Sequence, residues 1–147
     1  MADTLDLTLD LEVATPERAL VREQVSEVEI PGKSGYLGVL PGHAPLLGLL
    51  GHGTLSYVVR GTKRYLAVHS GFLEILDDHV RVLANTAEPR EEIDIQRARV
   101  ALQRAEAESV NPALGVDRDV IRRAADERIR VLHPVVVAEA RVDLPVA

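Results

Sequence analysis

The segment GKSGYLGVLPGHAPLLGLLGHG, Gly32–Gly53, decides how the chain folds. A glycine-punctuated, strand-like stretch runs into a Pro41-Gly42-His43-Ala44-Pro45 turn and leaves it through the apolar pair Leu46-Leu47. Breakers this closely spaced favour strand and turn over helix. Toward the N-terminus, Leu5, Leu7, Leu9, Leu11 and Val13 alternate with Asp6, Thr8, Asp10 and Glu12. A period of two puts the aliphatic side chains on one face of a strand and the polar ones on the other, as in a half-buried edge or sandwich strand. Similar short runs lie at Val25–Ile30, Tyr36–Leu40, Thr54–Arg60, Arg64–Val68, Phe72–Leu76 and Val80–Ala84. Turn chemistry such as Arg60-Gly61-Thr62-Lys63 and Asp77-Asp78 separates them, which predicts a β-sandwich.

After Glu88-Pro89-Arg90 the period becomes helical. Ile95, Ala98, Ala101, Leu102 and Ala105 form one apolar stripe, Arg97, Arg99, Arg104 and Glu106 lie mostly off it, and Asp94 stands at the N-cap position. Asn111-Pro112-Ala113-Leu114-Gly115 breaks this helix, and Ile121, Ala125, Ile129 and Leu132 mark a second one that Pro134 ends. The expected class is therefore α+β, an N-terminal β-sandwich of short strands followed by a C-terminal antiparallel helical hairpin. Residues 1–88 form the sandwich, 89–134 the hairpin and 135–147 a tail to which the sequence assigns no role. The alanine-rich stripes have two readings. Alanine is a good helix former, and it also buries far less surface than a leucine worth ~1.5–3 kcal/mol, so the hairpin docks weakly enough to exchange between two arrangements.

Composition excludes several classes of function. Hydrophobic residues make up 46% of the 147, too many for wholesale disorder, and with three Tyr, one Phe and no Trp the core must be aliphatic. Seventeen basic against twenty-three acidic residues, a net charge of −6, oppose a primary nucleic-acid role. No Cys is present, so neither disulfides nor thiol chemistry arise. The N-terminus has no cationic or apolar signal region, and no apolar run reaches the ~20 residues of a membrane span. The expectation is a soluble chain that reaches a membrane only through partners.

Catalytic and metal-binding patterns are not met. Gly32-Lys33-Ser34 resembles the end of a phosphate-binding loop, but Glu27 stands where that motif needs glycine, and a strand-like segment follows in place of a helix. His43, His52, His69, His79 and His133 lack zinc-site spacing, so no metal site is expected. Ser70 lacks the setting of a nucleophile elbow. Asp77-Asp78 reads as a hairpin turn in which short acids accept backbone hydrogen bonds.

The Gly32–Gly53 segment, together with Gly71-Phe72-Leu73-Glu74-Ile75, Val82-Leu83-Ala84-Asn85-Thr86-Ala87-Glu88 and Ile93-Asp94-Ile95-Gln96-Arg97-Ala98, resembles the epsilon subunit of F-type ATP synthases over roughly the first 130 residues. The resemblance implies a non-catalytic rotor subunit of the central stalk that couples proton translocation to ATP synthesis and restrains ATP hydrolysis. It implies the gamma subunit and the c-ring as partners of the β-domain, and the alpha/beta catalytic head as partner when the helices extend. The place implied is the cytoplasmic face of the bacterial inner membrane, peripheral and held through the complex. Tyr36, Leu37, Pro41, Gly42 and His43 would form the ring-contacting loop; family members often carry an acid where Tyr36 stands, and His43 equally suits fixing the turn. Arg122, Arg123 and Arg128, with Arg130 beside them, match the basic inhibitory face of the second helix, or form a solvated face with i, i+4 pairs such as Asp119–Arg123. Some members bind ATP as a regulatory ligand through an I/L-D-x-x-R-A motif. Here that implies Asp94, Arg97 and Arg123, with Asp94 as a plain helix cap the other reading. No cofactor is otherwise implied. Two further classes compete with the rotor: an ATP-sensing module, and a stand-alone β-sandwich interaction module.

Overall fold

The alternation around Leu5–Val13 becomes ladder structure at Leu9. Leu9, Leu11 and Val13 are buried and form β1 (Leu9–Ala14), whereas Leu7 is 64% exposed and lies outside the core. The computed structural model describes residues 7–108. Its strands continue as β2 (Ala19–Val25), β3 (Glu27–Gly32), β4 (Gly35–Val39), β5 (Leu46–Val59), β6 (Thr62–Leu76) and β7 (His79–Pro89). They join in one seven-stranded sheet of order β2-β1-β7-β6-β5-β3-β4, parallel between β1 and β7 and antiparallel elsewhere. β1 thus lies between two neighbours and is no edge.

Three sequence expectations change. The predicted run Val25–Ile30 is cut at Ser26, because burial shifts there from odd positions (Val21, Val25) to even ones (Val28, Ile30). The Ser26 N–H donates instead to the Val58 carbonyl at 3.0 Å, and β2 before it was not expected at all. Arg64–Val68 and Phe72–Leu76 are two halves of one 15-residue strand, β6. Thr54–Arg60 is likewise the second half of β5, whose 14 residues begin at Leu46.

The long strands form a sandwich by changing which residues face inward. The larger buried side chains are even before and odd after a line crossing three strands: Leu50 then Leu55 and Tyr57 in β5, Leu66 and Val68 then Leu73 and Ile75 in β6, Val80, Val82 and Ala84 then half-buried Ala87 in β7, with only the small Ser56 and Ala67 buried out of phase. The line runs through Gly51, Ser70 and Asn85, while the pairing register is the same on both sides of it. In β6 the change is made by Ser70 at φ 49° and Gly71 at φ 133°, and the Asn85 Nδ2–H donates to Ser70 Oγ at 2.7 Å across the break. Strands that pass between layers through such bends let one continuous sheet cover both faces of a core. One cluster of buried Leu, Val and Ile side chains, with Tyr57, draws on β1 to β7.

The chain divides into two compact units, Met1–Pro89 and Arg90–Ala147. In the second, a 3-10 turn at Arg90–Glu92 precedes α1 (Ile95–Glu108), which carries buried Ala98. The predicted second helix, with Arg122, Arg123, Arg128 and Arg130, and the tail 135–147 lie outside the described residues. No helix among the described residues is long and apolar enough to cross a membrane.

Gly71 tests the bend directly. A Cβ there would collide with the Leu83 carbonyl oxygen at a φ that side chains rarely adopt, whereas at Gly38 it would meet open space. Gly71→Ala should lower unfolding free energy by at least about 2 kcal/mol and Gly38→Ala by less than about 1 kcal/mol, read from urea midpoints.

Candidate functional site

The Pro41-Gly42 motif folds as a type II β-turn. The His43 N–H donates to the Leu40 carbonyl at 3.2 Å, Pro41 takes the position that favours its fixed φ, and Gly42 takes the one that needs a positive φ, here 80°. The turn is tied to a second one. The Gly42 N–H donates to Asp78 Oδ1 at 2.6 Å, and Asp78 with Asp77 forms the β6–β7 turn at φ 61° and 49°. The Asp78 carbonyl also accepts from the Asp10 N–H of β1 at 2.9 Å. His43 donates from Nδ1 to the Ala44 carbonyl at 2.7 Å, which fixes the ring and its tautomer. Exposed Leu40, Leu47 and Leu76 flank this pair of turns.

Tyr36 sits at the far end of β4. It lies four positions from Leu40, about 13 Å along a strand. Its hydroxyl accepts the Thr54 N–H at 3.1 Å, close to where β3 carries Pro31 and its pairing with β5 slips between Glu29 and Gly32. Proline has no N–H to give a ladder, and the phenol reaches over it to β5. A Cβ on Gly53 would come 2.6 Å from that oxygen and 2.7 Å from Pro31 Cβ, so glycine is required there. Tyr36 thus braces β4 against β5 while leaving 57% of itself exposed. Leu37 is half-buried and packs against the core. Of the five loop residues singled out from sequence, the structure brings Pro41, Gly42 and His43 together beyond one end of β4, with Leu37 in its middle and Tyr36 near the other end. Gly32-Lys33-Ser34-Gly35 is a tight turn between β3 and β4, its Lys33 N–H donating to the Leu49 carbonyl at 3.0 Å.

The outer face of the sheet has apolar and ionic rows. Leu49 pairs with Phe72 and Phe72 with Leu83, so three exposed side chains stand in line across β5, β6 and β7. The next row reads Leu47, Glu74, Arg81, Glu12, Arg22. Arg22 and Arg81 approach Glu12 at 3.2 and 3.4 Å, and Arg81 reaches Glu74 at 3.8 Å. Such exposed pairs contribute ~0–1 kcal/mol each and serve mainly to keep the row in register. The apolar row was legible in Gly71-Phe72-Leu73 once Leu73 faces inward, because neighbours on a strand point to opposite faces. The role of Asp78 was not, since its partner lies 36 residues away.

At the start of the second unit, Asp94 caps α1. Its Oδ1 accepts the Arg97 N–H at 3.0 Å and its carbonyl the Ala98 N–H at 3.0 Å, so the capping reading of this residue is realised. Arg97 is exposed, and Arg123 lies outside the described residues. His52 and His69 stack across β5 and β6 with ring centroids 3.8 Å apart, and no group of three metal-binding side chains occurs among the described residues. Tyr36→Phe, which deletes the oxygen that Thr54 uses, should lower stability by about 1 kcal/mol in chemical denaturation with the fold intact.

The same β-unit recurs in known proteins. Residues 8–90 match the family described as ATP synthase, Delta/Epsilon chain, beta-sandwich domain. The ATP synthase epsilon chain of Solibacter usitatus is 72% identical over 110 residues, which cover 75% of this chain and 82% of the relative. That of Koribacter versatilis is 49% identical over 106 residues, 72% of each chain. Among solved structures, a chain of the Euglena gracilis mitochondrial ATP synthase assembly of OSCP, F1 and c-ring superposes with TM-score 0.66 at 27% identity, covering 90% of this chain and 81% of that one. A chain of the Tetrahymena thermophila mitochondrial ATP synthase central stalk and c-ring shares the fold at TM-score 0.53 and 14% identity. A match over more than half the chain, with relatives this similar along most of their length, makes this protein a member of the ATP synthase delta/epsilon-chain family.

Proposed function

We propose that the chain is the epsilon subunit of a bacterial F-type ATP synthase, a non-catalytic piece of the central stalk that works by contact. The observation that carries this reading is an exposed apolar row, Leu49, Phe72 and Leu83, on a delta/epsilon-family domain whose similar relatives are named synthase epsilon chains. Such an apolar row on a folded domain calls for a protein partner. The two ends of β4 then serve different neighbours. The sequence reading gave Pro41, Gly42 and His43 to the ring together with Tyr36 and Leu37; because β4 holds the two groups apart, we instead assign the turn end, with its exposed Leu40, Leu47 and Leu76, to the gamma subunit, a partner suited to an apolar surface. The Tyr36 end meets the polar loops of the c-ring. Through these two grips the chain transmits rotation, and through the complex it lies peripherally at the cytoplasmic face of the membrane.

The second unit supplies regulation in this proposal. The alanine-rich helical segment docks weakly and extends into the alpha/beta catalytic head, where Arg122, Arg123 and Arg128 face acidic groups and block ATP hydrolysis. A chain ending at Glu88 should still assemble with gamma and the ring, and should raise ATPase activity of the reconstituted enzyme several-fold; unchanged hydrolysis would defeat the inhibitory role. Regulatory ATP on Asp94, Arg97 and Arg123 is the alternative proposal, supported by the exposed Arg97 at the capped start of α1. Calorimetry with ATP and Mg²⁺ decides it: heat from the intact chain that disappears in Arg97→Ala upholds it, and heat from neither protein removes it.

A further inference from the structure

We propose that Asp78 is a positioning residue that holds the Pro41-Gly42 turn in its docking shape; the inference rests on the reading that the turn end of β4 docks on gamma. A Pro-Gly pair favours a type II turn without locking it. Type I and type II turns both accept Pro at the second position, and differ by rotation of the central peptide through roughly half a turn. Glycine at the third position suits the positive φ of type II and also tolerates the negative φ of type I. A contact from outside the turn can therefore secure the direction of the Pro41–Gly42 peptide that the pair only favours.

Asp78 is placed to set it. Its Oδ1 accepts the Gly42 N–H at 2.6 Å, and that N–H belongs to the peptide whose rotation distinguishes the two turn types. Rotation to type I would swing the N–H away and present the Pro41 carbonyl to the carboxylate. A charged acceptor forms a hydrogen bond roughly twice as strong as a neutral one. The carboxylate is itself held by the framework. Asp78 stands partly buried in the left-handed region at φ 61°, follows Asp77 in the same region, and binds the Asp10 N–H of β1 through its own carbonyl. The strut thus runs from β1 and the β6–β7 turn into the loop that carries His43. Exposed Leu40 and Leu47, on either side of the loop, take their direction from it. A docking surface ordered before it meets its partner avoids the ordering cost on binding.

The test uses the complete chain in four forms. Asp78→Asn keeps an oxygen acceptor and tolerates the left-handed backbone; Asp78→Gly keeps the backbone and deletes the acceptor; Leu47→Asp alters only an exposed leucine beside the turn. Amide exchange at Gly42 should quicken about tenfold or more in Asp78→Gly and stay within about threefold of the wild type in Asp78→Asn. Affinity for purified gamma subunit should fall about tenfold in Asp78→Gly and recover in Asp78→Asn. Unchanged Gly42 exchange in Asp78→Gly would overturn the strut. So would faster exchange without loss of gamma binding, if Leu47→Asp does lose it. Full gamma binding by Leu47→Asp would instead remove the docking reading of the turn end and with it the docking role of Asp78, even where the exchange data show the strut to exist.

Discussion

The β-unit depends on a bend that three adjacent strands make at one level. Ser70 and Gly71 adopt positive φ in β6, and opposite them β5 and β7 pass through Gly51 and Asn85 without losing register. Each strand exchanges its inward set of residues there, so the Leu50–Leu73–Val82 side and the Leu55–Leu66 side both close on one core. Without the bend, a strand as long as β6 would present Leu66 and Val68 to one face and Leu73 and Ile75 to the other. The aliphatic composition follows from the same geometry. A core between two layers is filled by branched side chains that pack on a pleated surface, with Tyr57 its one aromatic ring among the described residues.

Bringing the two ends of each long strand to different places also separates two polar contacts. The β6–β7 turn lies under the Pro41-Gly42 turn, while the Tyr36 hydroxyl lies on β5 beyond Pro31. Both contacts are polar anchors at the surface, at 2.6 and 3.1 Å. They tie the Pro41-Gly42 turn and the exposed Tyr36 to the framework of the sheet. The charged row from Glu74 to Arg22 beside the apolar row keeps the face wettable and its strands aligned, at small energetic gain.

The second unit has a different physical character. α1 begins at a well-formed Asp94 cap and shows a stripe in which alanine outnumbers larger residues. A helix with a capped start keeps its own first turn whatever it packs against.

Much of this was legible along the chain. The period of two around Leu9–Val13, the Arg60-Gly61 and Asp77-Asp78 turns, the Asp94 cap and the change to helical period near Pro89 are all local, and local rules found them. The sequence by itself determined that strands would form, where several would turn, that the core would be aliphatic, and which family motifs the chain carries. It did not show that β5 and β6 run unbroken through Gly51 and Ser70-Gly71, because a phase change in the apolar pattern looks the same whether a strand ends or bends. It did not show β2, whose alternation is blurred by its charged residues. Only the tertiary structure joined Asp78 to Gly42 and Tyr36 to Thr54, and aligned Leu49, Phe72 and Leu83. Those contacts follow from strand register, which is decided when both faces of the sheet close on a common core.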